Sequence, residues 1–185
     1  RETLAFAAPP GAETLPLATG GSLEIAGIRV RSFATSHDAA NPVGYVIEAD
    51  GVRVGIATDT GVPDCALEHL HGVDLAILES NHDVECLLAG PYPHFLKRRI
   101  LGDCGHLSNA AAAEVALALL AHAPAAEIWL AHLSATNNTP RLAFATVSRC
   151  LEAAGHSTER LSVAPRGRPG PVWDSAGRWQ QLPLF

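Results

Sequence analysis

The chain has 185 residues, 48% of them hydrophobic and 17% charged, enough for one domain with a sizeable core. No apolar run reaches membrane-spanning length, and no signal-peptide pattern is visible at the start. The 13 Lys and Arg against 19 Asp and Glu leave a formal charge of −6, which argues against a surface basic enough to coat nucleic acid but leaves room for a local basic strip. Cys65, Cys86, Cys104 and Cys150 form no CxxC pair and no framework spacing. They are expected to be reduced and mostly buried, as in a cytoplasmic protein without membrane contact.

Residues 1–20 are rich in Pro, Gly and Ala and read as a loop or a severed connection. Arg1 opens a chain without methionine, so the expectation is a part of a longer or processed protein. Two short strands, SLEIA and IRVRSFAT, flank a turn at Ala26-Gly27. Two more, VGYVIEA and VRVGIAT, flank Asp50-Gly51, a strong hairpin signal. VDLAILES and EIWLAHLS are further buried-strand candidates. A helix is predicted over residues 108–122 with Ser108 as N-cap. Another is predicted over residues 139–155, with Thr139 as N-cap, Pro140 at its first position and Gly155 past its end. Residues 91–109, PYPHFLKRRILGDCGHLSN, leave room for a short helix. The tail over 166–185, with Trp173 and Trp179, is expected to wrap the surface. Strands first and then β–α–β–α predict one α/β domain over 1–185, a sheet with helices on at least one face.

Chemistry-bearing residues gather where strands end. His37 and Asp38 follow IRVRSFATS, Asp59 follows VRVGIAT, Glu79 ends VDLAILE, and His132 follows EIWLA. Strand ends in layered α/β folds are where rigid sheets hold functional loops. Imidazoles and a carboxylate suit zinc, manganese or iron. Each of these residues taken singly is more often a turn or cap residue than a ligand.

SHDAANPVGY, ATDTG, LESNHD, KRRILGDCGHLSN and LAHLSATNN, in this order, resemble the metallo-β-lactamase fold, and more narrowly its YycJ/WalJ-type bacterial exonuclease branch. The resemblance covers about residues 30–152. It implies an αββα sandwich with two divalent ions at the rim of two sheets. His37 would ligate one ion, Asp59 would bridge both, and His132 would ligate the second. His106 would assist departure of the leaving oxygen as a catalytic acid or charge stabiliser, or serve only as a helix N-terminal residue. Asp38 and Glu79 would orient the ligands from behind. Asn81, His82, Asn137 and Asn138 are candidate substrate contacts or loop-shaping residues. Lys97, Arg98 and Arg99 would hold phosphates or form a solvated face.

The fold's HxHxDH motif is absent. His69 and His71 share only its HxH spacing and fall after Asp59. The resemblance therefore implies that an N-terminal half supplies four further ligands, and that this chain alone is nearly inactive. The implied activity is metal-dependent phosphodiester hydrolysis, as a DNA exonuclease using a hydroxide activated between two ions. A small cyclic-phosphate phosphodiesterase or an RNA-processing nuclease of the same fold stands beside it. A truncated module that binds a partner or nucleic acid without metal is the reading from another class.

Overall fold

Two left-handed turns set the first half of the fold. Ala26 and Gly27 have φ of 51° and 82°, and Asp50 and Gly51 have φ of 50° and 79°. Positive φ at both central residues is the backbone that lets a two-residue turn follow the twist of paired strands. The first turn joins β1 (Ser22–Ile25) to β2 (Ile28–Ala34), and the second joins β3 (Val43–Ala49) to β4 (Val52–Ala57). The computed structural model describes residues 11, 13–170 and 172–176. Most of the 1–20 segment, Trp179 and the end of the expected surface tail lie outside those residues.

From β4 onward the chain crosses over through helices, and the pairing turns parallel. α1 (Pro63–Leu70) leads to β5 (Leu75–Glu79). α2 (Val84–Ala89), α3 (His94–Leu101) and α4 (Asn109–His122) separate β5 from β6 (Glu127–Ala131). α5 (Pro140–Ala153) leads to β7 (Leu161–Val163). Among the described residues the sheet has seven strands in chain order, antiparallel from β1 to β4 and parallel from β4 to β7. Both predicted caps form: Ser108 Oγ accepts from Ala111 N, and Thr139 Oγ1 accepts from Leu142 N. Pro140 opens α5, where its missing N–H leaves nothing unpaired. Helix α2 and strand β7 were not anticipated. α2 is a six-residue helix, and β7 pairs through three residues, too short for either period to register.

One face of the sheet carries the core. Val46, Ala57, Ala76, Leu78, Ile128 and Leu130 pack under Leu70 of α1, Val115, Ala116 and Leu119 of α4, and Val147 and Leu151 of α5. Gly55 sits under α1 because a Cβ there would collide with the Leu70 side chain. On the opposite face Tyr45, Ile56, Ile77 and Trp129 form a cross-strand row of half-buried apolar side chains. The described residues thus build one sheet and one helical layer of the four layers that the resemblance implies. All four cysteines are free, but the expectation that they are mostly buried fails. Cys86 and Cys104 are exposed and Cys65 and Cys150 half-buried, with Cys150 packed against the edge of the core.

Loops at one end of the sheet are held together by close backbone approach. Gly61 N donates to Ser36 O at 2.7 Å, and Ser36 Oγ donates to Asp103 O at 2.6 Å. A Cβ on Gly61 would meet the Asp103 carbonyl and, at 2.6 Å, the Gly102 carbonyl oxygen. Backbone cannot swing aside as a side chain can. Gly61→Ala should therefore destabilise the fold by about 1–3 kcal/mol, the usual range for overpacking. Urea denaturation of the two forms checks this, and an unchanged midpoint would show that the loops separate freely.

Candidate metal centre

Strand register brings the sequence-distant residues together. Ala57 of β4 pairs with Leu78 of β5, and Glu79 of β5 pairs with Ala131 of β6. The C-terminal ends of these strands therefore line one edge of the sheet. β2 is antiparallel to β3 and β3 to β4, so β2 ends at the same edge. His37, Asp59, Glu79 and His132 all leave their strands there. His106 joins them through the loop before α4. Asn81 N donates to Leu107 O, Asn109 N donates to His82 O, and His82 bridges to Ser108, which extends the sheet past its edge.

Glu79 lies at the bottom of the site with no exposed side-chain surface. Its Oε1 is 2.8 Å from His106 Nδ1 and 2.7 Å from His132 Nδ1. Its Oε2 accepts from Thr60 N at 3.0 Å and from Leu107 N at 3.3 Å. Burial alone would raise this carboxyl. The hydrogen bonds from His106, His132 and Thr60 outweigh it and hold the group down at about 2. An ionised carboxylate only accepts, so both imidazoles carry their proton on Nδ1 and keep a free lone pair on Nε2. The same contact raises the pKa of His132, against burial.

His37 is set the same way by a different group. Its Nδ1 lies 2.9 Å from Gly105 O, a carbonyl that can only accept, so Nε2 is again the free nitrogen. That Nε2 stands 3.6 Å from Asp59 Oδ1. The same Asp59 oxygen is 3.7 Å from His106 Nδ1 and 3.7 Å from His132 Nδ1. Asp59 and His132 each have 44% of the side chain exposed, so the cluster opens outward. Both also have left-handed backbones, φ 55° and 56°. Such conformations in non-glycine residues cost on the order of 1–3 kcal/mol each and gather at functional sites.

Asp59, Glu79, His106 and His132 offer donor atoms within 4.8 Å of one another. Glu79 already receives two hydrogen bonds on each oxygen, so it supports rather than ligates. The free Nε2 atoms of His37 and His132, together with the Asp59 carboxylate, are borderline ligands that fit zinc, manganese or iron. Imidazoles whose far nitrogen is fixed by a carboxylate or a carbonyl are the arrangement that metal sites use.

The other sequence candidates divide. Asp38 receives Nε and Nη2 of Arg99 and stands 3.6 Å from His37 Nε2. Arg99 holds its carboxyl down at about 2. Lys97 Nζ donates to Leu88 O, while Arg98 is exposed. Asn81 Nδ2 donates to His132 O, and Asn138 Nδ2 donates to Ser80 O and Asn81 O. These amides brace the loops behind His132. His82 and Asn137 are each 1% exposed, and neither side chain has a hydrogen-bond partner among the described residues. Burial pulls His82 down to about 4, so it stays neutral. Sequence reasoning missed Thr60 N, Leu107 N and Gly105 O, which are backbone groups with no side-chain signature. It also missed Arg166, whose Nη2 donates to Leu133 O at 2.6 Å beside His132.

Residues 1–133 match the family profile described as a beta-lactamase superfamily domain. That match spans most of the chain, and the chain belongs to this superfamily. Over 129 residues it is 44% identical to the exodeoxyribonuclease YycJ of Bacillus anthracis, covering 69% of this chain and 48% of that protein. It is 41% identical over 128 residues to the exodeoxyribonuclease WalJ of Streptococcus pneumoniae serotype 2 (strain D39 / NCTC 7466), covering 69% and 47%. The chain thus spans about half the length of the curated relatives it matches. Among solved structures, the metallo-beta-lactamase fold protein YhfI of Bacillus subtilis aligns with a TM-score of 0.58 at 15% identity, over 82% of this chain and 52% of that one. An isothiocyanate hydrolase from Delia radicum gut bacteria aligns at 0.54 and 14%, over 80% and 55%. At these identities the two share the fold. No helix among the described residues is long and apolar enough to cross a membrane.

Glu79 and His82 give stability a two-limbed pH dependence. Unfolded Glu79 takes up a proton near pH 4.5, whereas the folded group holds out to about 2. Its contribution is whole above pH 4.5 and is lost as pH falls toward 2. Unfolded His82 protonates near pH 6.5, whereas the folded group stays neutral down to about 4. Stability therefore also falls as pH drops from 6.5 to 4. Urea midpoints measured against pH should show both limbs. His82→Gln should flatten the upper one and Glu79→Gln the lower. A wild-type profile level between pH 6.5 and 4 would contradict a buried neutral His82.

Proposed function

We propose that this chain carries half of the active centre of a metal-dependent phosphodiester hydrolase that degrades DNA as an exonuclease. The observation that supports this most is the convergence of His37, His106 and His132 on one oxygen of Asp59, at 3.6 to 3.7 Å, with one ring nitrogen of each histidine held by Glu79 or by Gly105 O. The names of the curated relatives support the substrate class. In this reading a segment outside this chain supplies an HxHxDH set, and its sheet covers the apolar row of Tyr45, Ile56, Ile77 and Trp129. Left-handed backbone at both Asp59 and His132, away from the two hairpin turns, favours this reading over a module that binds without metal.

His37 and His132 would each hold one ion, and Asp59, 3.6 to 3.7 Å from both rings, would be shared between the two. Bound divalent ions would supply Lewis acidity at the phosphoryl oxygens and lower the pKa of a water. His106, once its Nε2 has taken up a second proton, would give that proton to the leaving oxygen and return to the neutral ring whose Nδ1–H is held by Glu79. Glu79 keeps that ring and the His132 ring aimed outward throughout. Asp38 ties Arg99 beside His37, and Arg98, exposed on the same helix, is placed to meet a phosphate.

His106→Ala in the complete protein should lower turnover by roughly 10²–10⁴-fold and leave metal content near wild type. Asp59→Ala should lose both. Glu79→Gln should weaken metal binding by about 10–100-fold, since one oxygen orients two rings. Metal analysis with rates on a DNA strand and on bis(p-nitrophenyl) phosphate separates these cases. Metal loss in His106→Ala would make His106 a ligand. Unchanged rates would reduce it to a helix N-terminal residue.

Arg98→Glu should weaken DNA binding and shift the slope of log K against log salt by about one contact. Anisotropy titrations at several salt concentrations measure it. An unchanged slope would return the Lys97–Arg99 run to a solvated face.

A further inference from the structure

A cavity of about 900 Å³ opens directly beside His132. Its walls include Leu133, Ala135, Pro140, Ala164 and Pro165, and Arg166 and Arg168 line it as well. The size falls within the roughly 300–1,000 Å³ range of small-ligand sites. Arg166 is fixed by its bond to Leu133 O, and its charge is near enough to pull against the raised pKa of His132. Thr139 and Pro140, also in the wall, are the N-terminus of the 14-residue helix α5, so the positive end of that helix faces the same space. Two guanidinium groups and a helix N-terminus thus surround an apolar floor, one residue away from a candidate ligand.

We infer that this cavity is a nucleotide subsite. It takes the nucleotide next to the scissile phosphate, with sugar and base against Leu133, Ala135 and Pro165. That nucleotide's other phosphate meets Arg168 and Arg166. The inference rests on the phosphodiester-hydrolase reading and deepens it. The apolar walls present the base with surface rather than a pattern of donors and acceptors, so the subsite accepts any base. The other large cavity, about 360 Å³ and lined by Asp74, Glu127 and Arg160, is at the opposite end of the parallel strands and has no part in it.

The test uses the complete, metal-loaded protein and three variants. Arg168→Ala removes one phosphate contact. Ala135→Trp fills the cavity. Arg149→Ala, on the exposed side of α5, removes the same charge elsewhere. With a 12-nucleotide DNA strand as substrate, Arg168→Ala should raise KM by about tenfold, the loss of one charge-assisted hydrogen bond, with kcat within about twofold. Ala135→Trp should raise KM at least as much, and Arg149→Ala should match wild type. Independently of activity, thymidine 5′-monophosphate titrated into 15N-labelled protein should shift the amides of Leu133, Ala135 and Ala164. Unchanged KM in Arg168→Ala, together with no amide shift at those residues, overturns the subsite. Should wild type cleave neither DNA nor bis(p-nitrophenyl) phosphate, the hydrolase reading falls. The titration then decides the cavity alone: shifts at those amides keep it as a nucleotide site, and their absence removes it.

Discussion

The buried carboxylate of Glu79 is the constraint on which this end of the molecule depends. One oxygen receives His106 and His132, and the other receives the backbone of Thr60 and Leu107. Four separate chain segments are therefore locked to one side chain: the end of β5 itself, the loop after β4, the loop before α4, and the end of β6. A charge without exposed surface is tolerable only when it is fully hydrogen-bonded. Here that requirement and the needs of the site coincide. Every donor that stabilises Glu79 is also a group whose position defines the cluster.

The sheet makes this convergence inexpensive. Parallel pairing from β4 to β6 puts three strand ends on one edge, and the two hairpins bring the end of β2 to the same edge. Loops then need only a few residues to reach the centre. What remains is paid in backbone conformation, at Asp59 and His132. Asp and His are among the non-glycine residues that tolerate the left-handed region best. The ligand chemistry and the turn geometry therefore ask for the same residue types.

The two faces of the sheet differ in kind. Under α1, α4 and α5 the strands carry Val46, Ala57, Leu78 and Leu130, all without exposed surface. On the other face Tyr45, Ile56, Ile77 and Trp129 stay half-buried although they are as apolar. This asymmetry fits a layered fold of which these residues form two layers, in a chain about half as long as its curated relatives. The metal-facing edge is shared by both faces, so a second sheet laid on the Trp129 side would bring its own loops to the same rim.

Much of this was legible in the sequence. Asp50-Gly51 and Ala26-Gly27 specify their hairpins locally, because only certain residues adopt positive φ. Ser108, Thr139 and Pro140 announce their helices for equally local reasons. His37, Asp59, Glu79 and His132 stood out because each followed an apolar run, and the motif order named the superfamily. Tertiary structure alone decided the rest. Glu79 could be seen as a supporting acid, but not as an acceptor of four hydrogen bonds, since two of its donors are backbone. Asn81 and Asn138 were open to contacting substrate or to shaping a loop, and their hydrogen bonds brace the loops, because burial depends on what folds over them. Lys97 and Arg99, read from sequence as phosphate contacts or a solvated face, are engaged by Leu88 O and Asp38, partners no local pattern announces. Arg166 and Arg168 carried no motif at all. Their placement beside His132 depends on β7 pairing parallel to β6, a contact between segments about thirty residues apart. Local chemistry is written in neighbouring residues, while partners brought in by strand register and loop closure exist only once the sheet has formed.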